Sequence, residues 1–168
     1  MTRRLILMRH AKSDWTDDVP SDHERVLNRR GRAACDAVGP WLALRGYSPD
    51  QVLCSDATRT RETWARLAPH LPDAPDPELR ADLYLAEPAS LRAAIRGASG
   101  KTLVVLAHNP GIGDLASELL AKRPAHQDFA RYPTLATLVA DFDIDDWADL
   151  APHSGRAVDF IVPRDLTD

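Results

Sequence analysis

Two short apolar runs, each ending on a histidine, constrain this chain more than anything else in it. Leu5-Ile6-Leu7-Met8 is too short for a helix and suits a buried strand, and Arg9-His10 follow at once. Leu103-Val104-Val105-Leu106-Ala107 ends the same way, on His108-Asn109-Pro110-Gly111. In open α/β sheets, ligand sites form outside the carboxyl ends of the strands. Two strand ends that each deliver an imidazole therefore predict one polar site at one edge of a sheet. Either histidine alone is more often a satisfied polar residue than a catalyst; the repetition carries the inference.

The segments between and after these runs alternate in kind. Asp14 to Arg25 lacks apolar periodicity and reads as a loop. Asn28 can cap a helix beginning near Arg29, with Ala33, Ala34, Ala37, Val38, Trp41 and Leu42 at helical spacing. Gly39-Pro40 predicts an interruption or kink, and Gly46 a C-terminal cap. Gln51 to Cys54 is a short strand, and Ser55 or Asp56 can cap a helix running to about Leu71. Ser55, Arg59 and Thr63 then share one face, while Arg61 points elsewhere as a surface charge. Pro69 to Pro77 is a loop, Leu79 to Leu85 an extended stretch, and Pro88 to about Arg96 a helix. A helix runs from Gly111 to about Ala121, followed by a polar loop from Lys122 to Pro133. Leu135 to Phe142 and Ala157 to Val162 read as strands separated by the acidic, irregular stretch Asp143 to Gly155.

Strands alternating with helices predict an α/β fold, a three-layer α/β/α sandwich with a mostly parallel central sheet. The last two strands have no helix between them, so antiparallel pairing there makes the sheet mixed. A chain of 168 residues fits one domain, taken as 1–168 without a large lid insertion. The net charge of −4 gives no basic excess, so nucleic acid is not an expected partner. Cys35 and Cys54 lack metal-site or CxxC spacing and read as small buried residues. No stretch fits a signal peptide or membrane span, so no membrane partner and a cytoplasmic location are expected.

Arg9-His10-Ala11-Lys12-Ser13, taken with His108-Asn109-Pro110-Gly111, resembles the histidine phosphatase superfamily, which includes the cofactor-dependent phosphoglycerate mutases and acid phosphatases. The Ala-Lys-Ser spelling is similar to its small branch, the phosphohistidine phosphatases of the SixA type. That branch usually has Arg then Pro where this chain has Arg25-Val26. The resemblance implies a phosphoglycerate mutase-like fold and makes Arg59 the match to the superfamily's second phosphate-binding arginine. It further implies that His10 is phosphorylated and then hydrolysed, with His108 supporting the transferring group.

The residue types suit that chemistry. Phosphoryl transfer asks a protein for position and positive charge. Arg9 and Arg59 can fork onto phosphate oxygens, and His108, if protonated, adds a third cation. The start of the helix after Gly111 is expected to add free N–H groups. A neutral His10 can attack phosphorus, and Arg9 beside it disfavours the imidazolium. The expected catalytic residues are thus His10, Arg9, Arg59 and His108, and the expected substrate-binding residues are Arg9, Arg59, His108, Asn109 and Ser13. Lys12 touches phosphate or merely shapes the loop. No metal ligand and no cofactor are expected. Trp15, Trp41, Trp64 and Trp147 read as core or surface anchors, none assigned to substrate.

An alkoxide leaving group needs a general acid, for which Asp14, Asp22, Glu78 and Glu87 are the candidates, none in a firm motif. A phosphohistidine needs less help, because its imidazole leaves as a neutral ring once the distal nitrogen is protonated. The expected substrate is therefore phosphohistidine on a protein, such as a histidine phosphocarrier or phosphotransfer domain. The alternatives are a phosphatase or mutase of small esters such as sugar phosphates or phosphoglycerate, and a phosphate-binding module without turnover. A metal hydrolase using Asp22-His23-Glu24, His70, His126 and His153 is weaker still, because those residues lack ligand spacing.

Overall fold

The computed structural model describes residues 1–16 and 18–167. Asp17, within the loop expected from Asp14 to Arg25, lies outside the described residues, as does Asp168. The strands are β1 (Arg3–Arg9), β2 (Gln51–Ser55), β3 (Glu78–Arg80), β4 (Thr102–Ala107), β5 (Thr137–Phe142) and β6 (Arg156–Ile161). The helices are α1 (Arg29–Leu44), α2 (Thr58–Leu67), α3 (Pro88–Arg96), α4 (Gly111–Leu119) and the short α5 (Arg164–Thr167). The strands form one six-stranded sheet in the order β3-β2-β4-β1-β5-β6. Neighbours from β3 to β1 pair in parallel, and β5 runs antiparallel to both β1 and β6. The sheet is therefore mixed and mostly parallel, as expected.

Alternation along the strands decides which layer each side chain enters. Leu5, Leu7, Leu103 and Val105 face α3 and α4, packing with Leu91, Ile95, Ile112 and Leu115. Ile6, Met8, Val104 and Leu106 face the other way, onto Cys35, Val38, Trp64 and Leu67 of α1 and α2. Both faces of β1 and β4 are covered, which is why their sequences are apolar without a break. Cys35 and Cys54 are buried and free, as the sequence suggests.

Several boundaries differ from the sequence expectation. The segment expected to be extended from Leu79 to Leu85 is a strand only to Arg80; a 3₁₀ turn over Ala81–Leu83 then buries Leu83. α2 stops at Leu67 and its last turn tightens to 3₁₀, because Pro69 has no N–H to continue the ladder. α1 passes through Pro40 without interruption. Gly39 serves packing instead, since a Cβ there would lie 2.4 Å from the His70 ring. α4 ends at Leu119, where Leu120 leaves to bridge Gly155. Leu135 lies outside β5 with φ 57°, and the loop before it buries Phe129 and Tyr132, which the polar composition of that stretch concealed. Among the described residues, no helix is long and apolar enough to cross a membrane.

Candidate active site

The carboxyl ends of β1, β2 and β4 lie side by side and deliver Arg9-His10, Ser55 and His108 to one edge of the sheet. His10 is fixed from both neighbours: its N–H donates to Ala107 O at 3.1 Å, and its carbonyl accepts from Leu135 N at 3.0 Å. The next residue, Ala11, donates its N–H to Thr63 Oγ1 of α2 at 3.0 Å. Asn28 caps α1 by accepting from Gly31 N at 2.8 Å, as the sequence predicts, and Asn28 N donates to Lys12 O at 3.0 Å. Gly31 lets α1 approach this closely, because a Cβ would sit 2.1 Å from Lys12 O. His10 and the residues after it are thus held by α1, α2, β4 and the loop before β5.

A cavity of about 360 Å³ opens there, lined by Arg9, His10, Ser13, Arg25, Arg59 and His108, among others. The two imidazole centroids are 5.3 Å apart. His10 Nδ1 lies 2.7 Å from the carbonyl oxygen of Ala11. A carbonyl only accepts, so Nδ1 carries the proton and Nε2 carries the lone pair. The sequence could not name this partner. The His10 pKa is lowered to about 3, chiefly by burial; the charges of His108, Arg9 and Arg59 add to it, against the opposing bond to Ala11. Arg9 is thus a minor cause of His10 neutrality, not the main one as the sequence suggested.

His108 was expected to add a third cation only if protonated. Burial first, and the charge of Arg59 next, lower its pKa to about 3, so it is neutral here and not a third cation. Its Nε2 lies 2.7 Å from Ser55 Oγ, and its buried Nδ1 has no hydrogen-bond partner. The hydroxyl of Ser55 can donate or accept, so either tautomer is available. The start of α4 also differs. The N–H groups of Ile112, Gly113 and Asp114 donate to His108 O, Asn109 Oδ1 and Pro110 O. These three N–H groups are spent on the turn. Asn109 does line the cavity, but its Nδ2 is engaged by the carbonyls of Arg131 and Tyr132 at 3.0 and 2.9 Å.

The guanidinium groups come from three elements. Arg9 Nη1 donates to Tyr132 O at 3.3 Å. Arg59, on the first turn of α2 and buried, donates to Asp22 O at 2.9 Å and Asp22 Oδ2 at 3.1 Å. Arg25, which the sequence reading left out of the site, is buried; it donates to Ser13 Oγ and, at 2.9 Å, to Asp22 Oδ1. The Nε atoms of Arg9, Arg25 and Arg59 are buried without a partner. Its position just before Val26, at a point where the family motif carries an arginine, was the signal for Arg25. Trp15 is not core: it is 77 % exposed at the cavity rim, with the Arg25 guanidinium 3.5 Å from its ring centroid.

Of the four candidate acids, only Asp22 lines the cavity. Burial tends to raise its pKa, but hydrogen bonds from Tyr84 and Arg25 and the charge of Arg59 outweigh this and hold it far below the carboxylate range. Asp14 accepts from Thr16, and Glu78 from Gln51 near the opposite end of β2. Glu87 lines a separate hollow beside the start of α3. The residues of the metal alternative are dispersed: His23 pairs with Asp56, His126 with Asp165, and His70 packs on Gly39. Among the described residues, no group of three or more such side chains could hold a metal ion.

A family model described as the histidine phosphatase superfamily (branch 1) matches residues 5–84. An uncharacterized protein of Mycobacterium tuberculosis is 35% identical over 164 residues, covering 94% of this chain and 100% of its own. A structure from Nakamurella multipartitia, named for the phosphohistidine phosphatase SixA, is 28% identical, with TM-score 0.81 and 97% of each chain covered. The protein histidine phosphatase SixA complexed with tungstate shares the fold at 21% identity and TM-score 0.73, covering 98% of this chain and 99% of its own. The chain therefore belongs to the histidine phosphatase superfamily, as a phosphatase of its SixA-type branch.

Proposed function

We propose that the protein removes a phosphoryl group from phosphohistidine on another protein, through a phosphohistidine intermediate on its own His10. The observation that carries this is the state of Asp22, the one carboxylate among the described residues that line the cavity. Asp22 is held ionised by Arg25, Arg59 and Tyr84, so among the described residues no carboxylic acid in the cavity is ready to protonate an alkoxide. A leaving group that departs as a neutral imidazole does not need one.

In the first step, His10 Nε2 forms a bond to phosphorus while the P–N bond of the substrate breaks. The electron pair of that bond stays on the departing imidazole, whose distal nitrogen already holds a proton. Arg9, Arg25 and Arg59 line the cavity with the nucleophile and offset the charge of the transferring group. His108 sits beside it, where a bound dianion raises its pKa and turns it into a donor. Ser13 shapes the wall through Arg25, and Asn109 holds the loop bearing Tyr132. The exposed indole of Trp15 offers a stacking face for the leaving ring. Water then cleaves the His10 phosphoramidate, releasing orthophosphate and restoring the imidazole.

The test is loss of phosphate from a phosphohistidine-bearing carrier protein in chelator, comparing wild type with His10→Ala. Rapid loss that the substitution abolishes is the expected result. No loss with either, alongside turnover of a small phosphate ester, would refute the proposal in favour of a metabolite phosphatase.

A further inference from the structure

A second cavity, of about 510 Å³, adjoins the first and shares Lys12 and Thr134 with it. Four cations from four separate segments converge on it: Lys12 after β1, Arg30 on the first turn of α1, Arg131 in the loop before β5, and Arg164 at the start of α5. This happens in a chain whose net charge is −4. Among the described residues the one carboxylate in its lining, Asp128, is already engaged by Arg131 at 2.6 Å. Arg30, Arg131 and Arg164 do not line the cavity that holds His10, so nothing in phosphoryl transfer accounts for them.

We infer that this basic groove is a second anion site: the substrate carries a further phosphate or carboxylate beside the phosphoryl group being transferred. Lys12 is the hinge of the arrangement, since it follows the nucleophile by two residues and lines both cavities. The anion has two possible sources with the same chemistry, acidic side chains flanking a phosphohistidine on a protein or a second phosphate on a small molecule. The inference rests on the assignment of the His10 cavity to the transferring phosphate. Because the groove is open to solvent, its attraction is strongest at low salt.

The experiment uses the His10→Ala protein, which cannot turn over, and measures calorimetric affinity for orthophosphate and for tripolyphosphate at low ionic strength. Tripolyphosphate is expected to bind at least ~10-fold more tightly, the scale of a few solvated cations at contact distance. Adding Arg30→Glu and Arg164→Glu should remove that advantage while leaving orthophosphate affinity within about twofold, because the His10 cavity is untouched. Equal affinity for the two ligands, or an advantage that survives both charge reversals, overturns the second site while the first stands. Absence of orthophosphate binding removes the first site and the second with it. A further arm compares phosphohistidine carriers with and without acidic residues around the modified histidine. A several-fold drop in kcat/KM on neutralising them, absent in the Arg30→Glu/Arg164→Glu enzyme, assigns the anion to protein carboxylates; an unchanged rate beside tight tripolyphosphate binding assigns it to a multiply phosphorylated small molecule.

Discussion

Burying two neutral imidazoles in one cavity makes the fold sensitive to mild acid, and the size of the effect follows from the site. Burial lowers the pKa of His10 and of His108 to about 3 in the folded chain, against about 6.5 for an ordinary histidine. A depressed histidine pKa means that the unfolded chain binds protons that the folded chain does not. Stability is thus fully present above pH 6.5 and is lost as pH falls towards 3. At pH 5, which lies about 1.5 pH units below the ordinary imidazole pKa, protonation favours the unfolded chain by about 2 kcal/mol per imidazole, or about 4 kcal/mol for the pair. That is a large share of the ~5–15 kcal/mol typical of a domain. The window from pH 7.5 to 5 also isolates the imidazoles, because the depressed carboxylates Asp22, Asp82 and Asp165 lose their contribution only below about pH 4. Urea unfolding of wild type and of the His10→Gln/His108→Gln variant at both pH values measures the difference. The wild type should lose about 4 kcal/mol more than the variant. Saturating phosphate should shrink the loss, since a bound dianion favours the imidazolium forms. Equal losses in the two proteins would show that these histidines are not buried in the neutral state.

Other substitutions probe the supports of the site. Gly31→Ala places a methyl group against the Lys12 carbonyl and should cost about 2–3 kcal/mol in thermal or urea unfolding, with activity falling as the Lys12-Ser13 backbone moves. Asn28→Ala removes the cap of α1 and should cost ~1 kcal/mol by the same measurement. Arg25→Lys keeps the charge but not the fork that joins Ser13 to Asp22, so KM should rise by about tenfold, and a wild-type KM would dismiss the bidentate role. Asp22→Asn should slow phosphohistidine and aryl phosphate hydrolysis by similar, modest factors. A large loss confined to the aryl ester would instead identify Asp22 as the acid.

The elements that declared themselves in the sequence are those whose signal is local. β1 and β4 are covered on both faces, so their apolar runs are unbroken and end where the polar site begins. The Asn28 cap, the helix at Pro88–Arg96 and the shared face of Arg59 and Thr63 on α2 likewise depend on neighbours within a turn or two, whereas Ser55, expected on that face, ends β2 instead. The association of His10 with His108 and Arg59 was legible because strand ends in such a sheet converge by topology. The features that stayed hidden depend on contacts across long separations. Arg25 enters the cavity only because the loop after β1 folds back against Ser13, and Trp15 is left at the rim by the same fold. The helix start after Gly111 looked available until its N–H groups met His108, Asn109 and Pro110. Local pattern determined which residues are strand, helix and reactive group. Tertiary structure decided their charge states, because burial and neighbouring charges are set by whatever packs around a side chain, and no spacing in the sequence encodes that.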